Sequence, residues 1–217
     1  MTRQNTLLPA MYGTMYDALG PSHWWPGESR FEKAVGAILT QNTNWNNAAK
    51  AVWNLKDRKI LTPPGLYALT EPEISELIRP AGYFRIKAAR LRNFLVFLRE
   101  EADLCMETLR EQGLEELRPK LLSVKGIGPE TADSILLYAL DKPSFVIDAY
   151  TVRIMSRHGV VSEDVDYHSL QGLFMDALPR EAPLYNECHA LLVRVGKTWC
   201  RKKDPRCSSC PLAPLLR

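Results

Sequence analysis

The stretch SVKGIGPETADSIL, residues 123–136, sets two glycines around one isoleucine and then runs through Pro129 and Glu130 into a helical pattern. Gly126 and Gly128 open backbone angles closed to other residues and leave no side chain to hold a ligand away. Pro129, with its fixed φ and missing N–H, suits the first turn of a helix. A helix ending near Leu122 and a second starting at Pro129 therefore form a hairpin with a bare turn. Exposed amides there, backed by the positive end of the second helix, make an anion site. A tight turn with glycines only for close packing is the other reading, and the glycines alone do not separate the two.

Helical periodicity continues on both sides of the hairpin. Phe31, Ala34, Val35, Ile38 and Leu39 follow the i, i+3, i+4, i+7, i+8 pattern of one apolar helix face. After the polar break TQNTN the pattern restarts at Trp45, Ala48, Ala49, Val52 and Trp53, and it ends before a turn at TPPG, residues 62–65. Thr70 followed by Glu73 is a capping-box pair that opens a short helix stopping at Pro80. Gly82 marks a turn before a helix carrying Ala88, Leu91, Phe94, Leu95 and Leu98. Segments 116–123, 130–140, 149–157, 168–177 and 184–197 also read as helical. The one β-branched apolar run, SFVI at 144–147, is too short to build a sheet. The expected fold class is all-α, in two helical domains. Residues 25–142 form the hairpin-bearing domain, and residues 1–24 with 143–217 form the other.

The bulk properties limit the function classes. A formal net charge of +3 at pH 7 gives no basic field strong enough to argue for nucleic acid by itself, so any such case rests on local placement. No run of about 18 apolar residues occurs and the N-terminus lacks a signal-like apolar region, so a cytoplasmic protein without a membrane span is expected. Of the five cysteines, Cys200, Cys207 and Cys210 crowd together near the C-terminus, which without a secretion signal suggests metal rather than disulfides. Around them Arg194, Lys197, Arg201, Lys202, Lys203 and Arg206 outnumber Asp204, and this basic loop suits phosphate contact.

Val124, Lys125, Gly126, Ile127, Gly128, Pro129, Glu130, Thr131 and Ala132 resemble the helix-hairpin-helix module, Leu/Val-x-Gly-Ile/Val-Gly-x-x-Thr-Ala. The resemblance extends through FVIDAY with Asp148, upstream to AILTQNT and downstream to HALLVRVGKTWC, and covers roughly residues 25–210. On these motifs the chain is identified as similar to the helix-hairpin-helix DNA glycosylases of the endonuclease III superfamily, which implies a DNA-binding cleft between the two helical domains. Members that also cut the strand carry a lysine two residues after the second glycine, whose amine forms a Schiff base with the sugar. Glu130 stands there, and a carboxylate cannot form that imine, so the resemblance implies a monofunctional enzyme.

The same resemblance places Asp148 near the sugar, where a carboxylate stabilises positive charge on the deoxyribose and activates water. Asp148 is equally a good N-cap for the helix after it, and both roles can coexist. WWP at Trp24, Trp25 and Pro26, LTQNT, and Trp45 are similar to the endonuclease III-type 3-methyladenine DNA glycosylases. Trp24, Trp25, Pro26 and Trp45 are then expected to line a flipped-base pocket, where indole faces attract a cationic N-alkylated purine, with plain packing as the alternative. Gln41 is expected to fill the gap left in the duplex and Tyr83 to wedge the opposite strand. Lys125, Gly126, Ile127, Gly128 and Thr131 are the expected backbone contacts.

The resemblance also implies a 4Fe-4S cluster on Cys200, Cys207 and Cys210. The fourth cysteine expected after five more residues is replaced by Leu216, and Cys188 or His189 completes the set only at unfamiliar spacing. A Cys3His zinc site or no metal stays open. The partner expected is double-stranded DNA containing damaged bases, bound by a monomer. Rival readings are a glycosylase for oxidised or mismatched bases and a noncatalytic DNA-binding module.

Overall fold

The computed structural model describes residues 3–216, which hold helices and no strand. Twelve α-helices run in order: α1 (Arg3–Leu19), α2 (Arg30–Leu39), α3 (Trp45–Asp57), α4 (Pro63–Tyr67), α5 (Glu71–Leu77), α6 (Phe84–Ala102), α7 (Met106–Glu111), α8 (Leu114–Ser123), α9 (Pro129–Ser134), α10 (Ala149–Arg157), α11 (Tyr167–Ala177) and α12 (Ala182–Thr198). Side chains set many of the starts. Ser29, Asn44, Thr62, Asp148 and Asp166 each accept an amide from the first turn of the helix they precede. Thr70 and Glu73 close the reciprocal box expected of them. Each such cap satisfies a backbone donor that the helix itself leaves without an acceptor.

The chain divides into two compact units. One contains Pro26–Lys142, the other Met1–Trp25 and Pro143–Arg217. In the first, α2 is buried along nearly its whole length, and its Phe31, Val35, Ile38 and Leu39 join Leu55, Phe94, Leu98, Leu117, Leu121 and Ile135 in one core. After Ser134 the chain leaves α geometry for a π-helical turn at Ile135–Ala139, every residue of which is buried. The 130–140 segment expected to be one helix is therefore two kinds of helix. Packing against α2 overrides the regular hydrogen-bond ladder there.

In the second unit, α1 packs on α11 and α12, and α10 packs on α12. Periodicity did not predict α1. Pro9 and Gly13 lower its propensity, while Leu8, Met11 and Met15, all buried, supply the stripe that holds it. The run 144–147 is buried but forms no strand, and Phe145 stacks on Phe174 with ring centroids 4.1 Å apart. Helices α10 and α12 approach so closely that a Cβ on Gly196 would lie 2.5 Å from the Tyr150 ring. TPPG, read as a turn, is the capped start of α4. No helix among the described residues is long and apolar enough to cross a membrane.

Candidate active site

The hairpin is built from α8, a turn at residues 124–128, and α9. Ile127 donates its N–H to the Val124 carbonyl at 3.0 Å and buries its side chain in the core, which anchors the turn from below. Lys125, Gly126 and Gly128 remain exposed above it. Pro129 occupies the first turn of α9, and Ala132 N–H bonds back to the Gly128 carbonyl at 2.9 Å. Behind the turn, Arg118 of α8 grips Asp133 of α9 through two bonds of 2.8 and 2.9 Å.

The two glycines do different work. Gly126 has φ of +94°, and a Cβ there would lie 2.4 Å from Cγ of Arg90, so the residue must be bare to let the Arg90 stem pass. Gly128 is extended, with φ −92° and ψ 179°, and nothing stands within 4 Å of the place where its Cβ would be. Only at Gly128 is the bareness left open toward solvent, as the anion reading requires.

Gln41, just past α2, lies against this turn. Its Nε2 donates to the Gly126 carbonyl at 3.0 Å and to Thr131 Oγ1 at 2.8 Å, and its Oε1 accepts from Arg90 Nη1 at 2.6 Å. Thr131 is buried, so its hydroxyl faces Gln41 and its side chain is not a surface contact. Tyr83 precedes α6 in the left-handed region, φ 47°, and is 67% exposed; Ile86, one turn on, is 54% exposed.

Two residues important to this arrangement escaped sequence reasoning. Lys87, buried, donates from Nζ to the carbonyls of Leu39 at 2.9 Å and Ala81 at 2.7 Å, tying together the segments that carry Gln41 and Tyr83. Burial, with a smaller contribution from the charge of Arg90, pushes its pKa down to about 8. Within IKAARLRN, Lys87 and Arg90 look like any cations on a solvated helix face. Only the apolar positions Ala88 and Leu91 beside them hint that this face turns inward.

In the other unit Asp148 caps α10. Its Oδ1 accepts from Thr151 N–H at 2.8 Å and from Thr151 Oγ1 at 2.9 Å, while Oδ2 stands 3.7 Å from His189 Nε2. Burial pushes the His189 pKa down more than Asp148 draws it up, so the imidazole beside the carboxylate is neutral at pH 7. One oxygen of Asp148 is thus fixed by the cap and the other is oriented but not consumed by it.

Trp24 and Trp25 meet edge-on with centroids 5.3 Å apart. Ser22 anchors them to α12, its N–H and hydroxyl both donating to Glu187 at 2.7 and 2.8 Å, and its Oγ accepts from Trp24 N–H at 3.2 Å. A cavity of about 320 Å³ opens here, lined by Trp24, Ser22, Val193, Arg194 and Lys197. Lys197 Nζ lies 5.7 Å from the Trp24 ring centroid, so that indole already faces a cation. Pro26 and Trp45 belong to the other unit. Pro26 is exposed, and Trp45 opens α3 half-buried against that unit's core.

Cys200, Cys207 and Cys210 line one small cavity with Arg157, His158 and Leu216. Burial raises the Cys210 thiol, and Arg157 Nη1 donates to Cys200 Sγ at 3.3 Å. Among the described residues no group of three or more His, Cys, Asp or Glu is gathered to hold a metal ion. With leucine in the fourth position, these residues do not fit four-thiolate ligation of a 4Fe-4S cluster. Neither Cys188 nor His189, the candidates for completing the set, is among the residues that line this cavity.

A family model described as HhH-GPD superfamily base excision DNA repair protein matches residues 35–180. A protein of Methanocaldococcus jannaschii named "Putative DNA repair glycosylase" is 45% identical over 93% of this chain and 92% of its own length. Among solved structures, the H. pylori 3-methyladenine DNA glycosylase MagIII bound to 1,N6-ethenoadenine aligns at TM-score 0.75 and 27% identity, over 90% of this chain and 98% of that one. A non-covalent complex of endonuclease III with DNA aligns at TM-score 0.83 and 21% identity, over 100% and 96% of the two chains, a likeness of fold.

Proposed function

This chain belongs to the HhH-GPD superfamily of base excision DNA repair proteins, and from that premise we propose that it is a monofunctional DNA glycosylase that releases alkylated purines such as 3-methyladenine. The observation that carries the reading is Asp148, with one carboxylate oxygen pinned by its helix cap and the other oriented beside a neutral, buried His189. In the reaction the C1′–N bond breaks with its electron pair going to the base. Positive charge gathers on the sugar next to the carboxylate, and water adds to C1′ while Asp148 accepts its proton. An N-alkylated purine is already cationic and leaves as a neutral base, so little acid assistance is needed.

Glu130, exposed in the first turn of α9, offers no amine for a sugar imine, which supports hydrolysis without strand cleavage. Similarity to the H. pylori enzyme at 27% identity over 90% of the chain supports the alkylpurine class. The hairpin turn, with Lys125 and Gly128 exposed, is the phosphate contact, and the exposed Tyr83 is the wedge.

A second reading draws on one observation. Arg194 and Lys197 at the Trp24 cavity favour an uncharged base bearing carbonyl acceptors, as oxidised or mismatched bases do. One experiment separates them: the protein is incubated with duplexes carrying methylated adenine or thymine glycol, with borohydride present. Free methylated base without nicks or trapped adduct is expected. Nicking and trapping on thymine glycol would overturn the alkylpurine reading.

A further inference from the structure

Along one face of α6, Lys87, Arg90 and Asn93 follow at three-residue spacing, and each holds a segment at or beside the hairpin. Lys87 takes the Leu39 and Ala81 carbonyls, Asn93 Nδ2 donates to the Lys125 carbonyl at 2.9 Å, and Arg90 takes Gln41. The amide of Gln41 is thereby engaged at both ends, by Arg90 on the oxygen and by Thr131 and Gly126 on the nitrogen. A side chain filling a gap in a duplex needs that same amide to face bases. We infer that Arg90 and Thr131 are positioning residues that park Gln41 on the hairpin in the free protein, and that a phosphate seated on the hairpin releases it by drawing Arg90 to itself. This rests on the reading above that the hairpin binds the DNA backbone and Gln41 enters the gap.

The geometry gives the two partners different fates. The Arg90 stem crosses directly over Gly126, with Cγ, Cδ and Nε at 2.4, 3.0 and 3.1 Å from the place of its absent Cβ, so the guanidinium borders the turn where phosphate would sit. The bond from Arg90 to the neutral amide oxygen is charge-assisted on the donor side only, whereas a guanidinium–phosphate bond is charge-assisted at both ends and adds the attraction of opposite charges. Arrival of the anion therefore tips Arg90 away from Gln41. Thr131 cannot follow, because it is buried in α9. Its hydroxyl stabilises the parked state alone, by about fivefold in an equilibrium constant for one neutral hydrogen bond.

The signature of parking is a contact whose loss improves binding. The full-length protein is titrated with a duplex carrying a tetrahydrofuran abasic site and with the same duplex undamaged. Thr131→Val is expected to bind the abasic duplex about fivefold tighter than wild type, to bind the undamaged duplex equally, and to lose its gain when Gln41→Ala is also present. Unchanged or weaker abasic binding, or a gain that survives without Gln41, overturns the proposal. If Gln41→Ala alone leaves the preference for the abasic duplex intact, the gap-filling reading fails first and the parking proposal with it. A second measurement needs no Thr131 variant to fold. The side-chain amide resonance of Gln41 in the wild type, assigned against Gln41→Ala, moves on adding the abasic duplex if the contacts break. If it stays in place, they persist in the complex and the proposal falls.

Discussion

Arg118 and Asp133 join α8 to α9 by a two-pronged ion pair in which the Asp133 side chain has no exposure to solvent. The hairpin is held in shape from behind by this pair. Arg118→Met leaves a buried carboxylate without its cation and is expected to cost about 3–5 kcal/mol in urea unfolding. Replacing both residues, Arg118→Met with Asp133→Leu, should cost less than Arg118→Met alone, because the buried charge then leaves together with its cation.

The hairpin glycines should respond oppositely. Gly126→Ala places a side chain at a positive φ and against Arg90, and is expected to destabilise the free protein by about 1–3 kcal/mol. Gly128→Ala meets nothing and should leave unfolding within about 0.5 kcal/mol of wild type. On the proposed phosphate contact it should weaken DNA binding, since its methyl group would stand in the open space before Gly128. Urea titrations and a duplex-binding assay on both variants test the contrast.

Asp148→Asn separates capping from chemistry. Asparagine caps a helix about as well as aspartate, so thermal stability should change little. Single-turnover base release should fall about 10²- to 10⁴-fold, since the amide neither stabilises the sugar cation nor accepts a proton. Retention of full base release would mean that a group other than Asp148 carries the chemistry.

Lys87 makes a pH prediction whose sign is fixed. Its pKa in the folded protein, about 8, lies below the 10.5 of an ordinary lysine, so between those values the unfolded chain binds more protons. Stability from this residue therefore rises as pH climbs from 8 toward 10.5, by at most about 3 kcal/mol. Subtracting the unfolding profile of Lys87→Met isolates it: the difference should move in favour of the wild type across that window. The neutral amine still has two hydrogens for the Leu39 and Ala81 carbonyls.

The sequence was most readable where pattern is local. Periodicity located α2, α3 and α6, and the Thr70/Glu73 and Asp148 caps are visible as residue types before a helical run. Helix α1 stayed hidden because its stripe is held by contacts with α11 and α12, while Pro9 and Gly13 speak against a helix locally. At the site, Asp148 and the glycines stand out by identity, but Arg90 and Lys87 do not. Their roles depend on the Leu39 carbonyl, 48 positions away in sequence, and the Gln41 amide, 49 positions away, which no local pattern records. Both glycines looked like parts of one cradle. Their division of labour depends on where the Arg90 stem runs.

Helix α10 grips the basic loop from its far half. Arg153 donates to the Cys200 carbonyl at 2.7 Å and to that of Gly196 at 3.1 Å, and Arg157 to those of Arg201 at 2.8 Å and Lys202 at 3.3 Å. Asp148 sits at the opposite end of the same helix, nine residues and about 14 Å away along the axis. The helix is therefore a ruler. A phosphate held by that loop would lie at one fixed span from the carboxylate, so loosening the arginines is expected to misplace the chemistry even where DNA still binds.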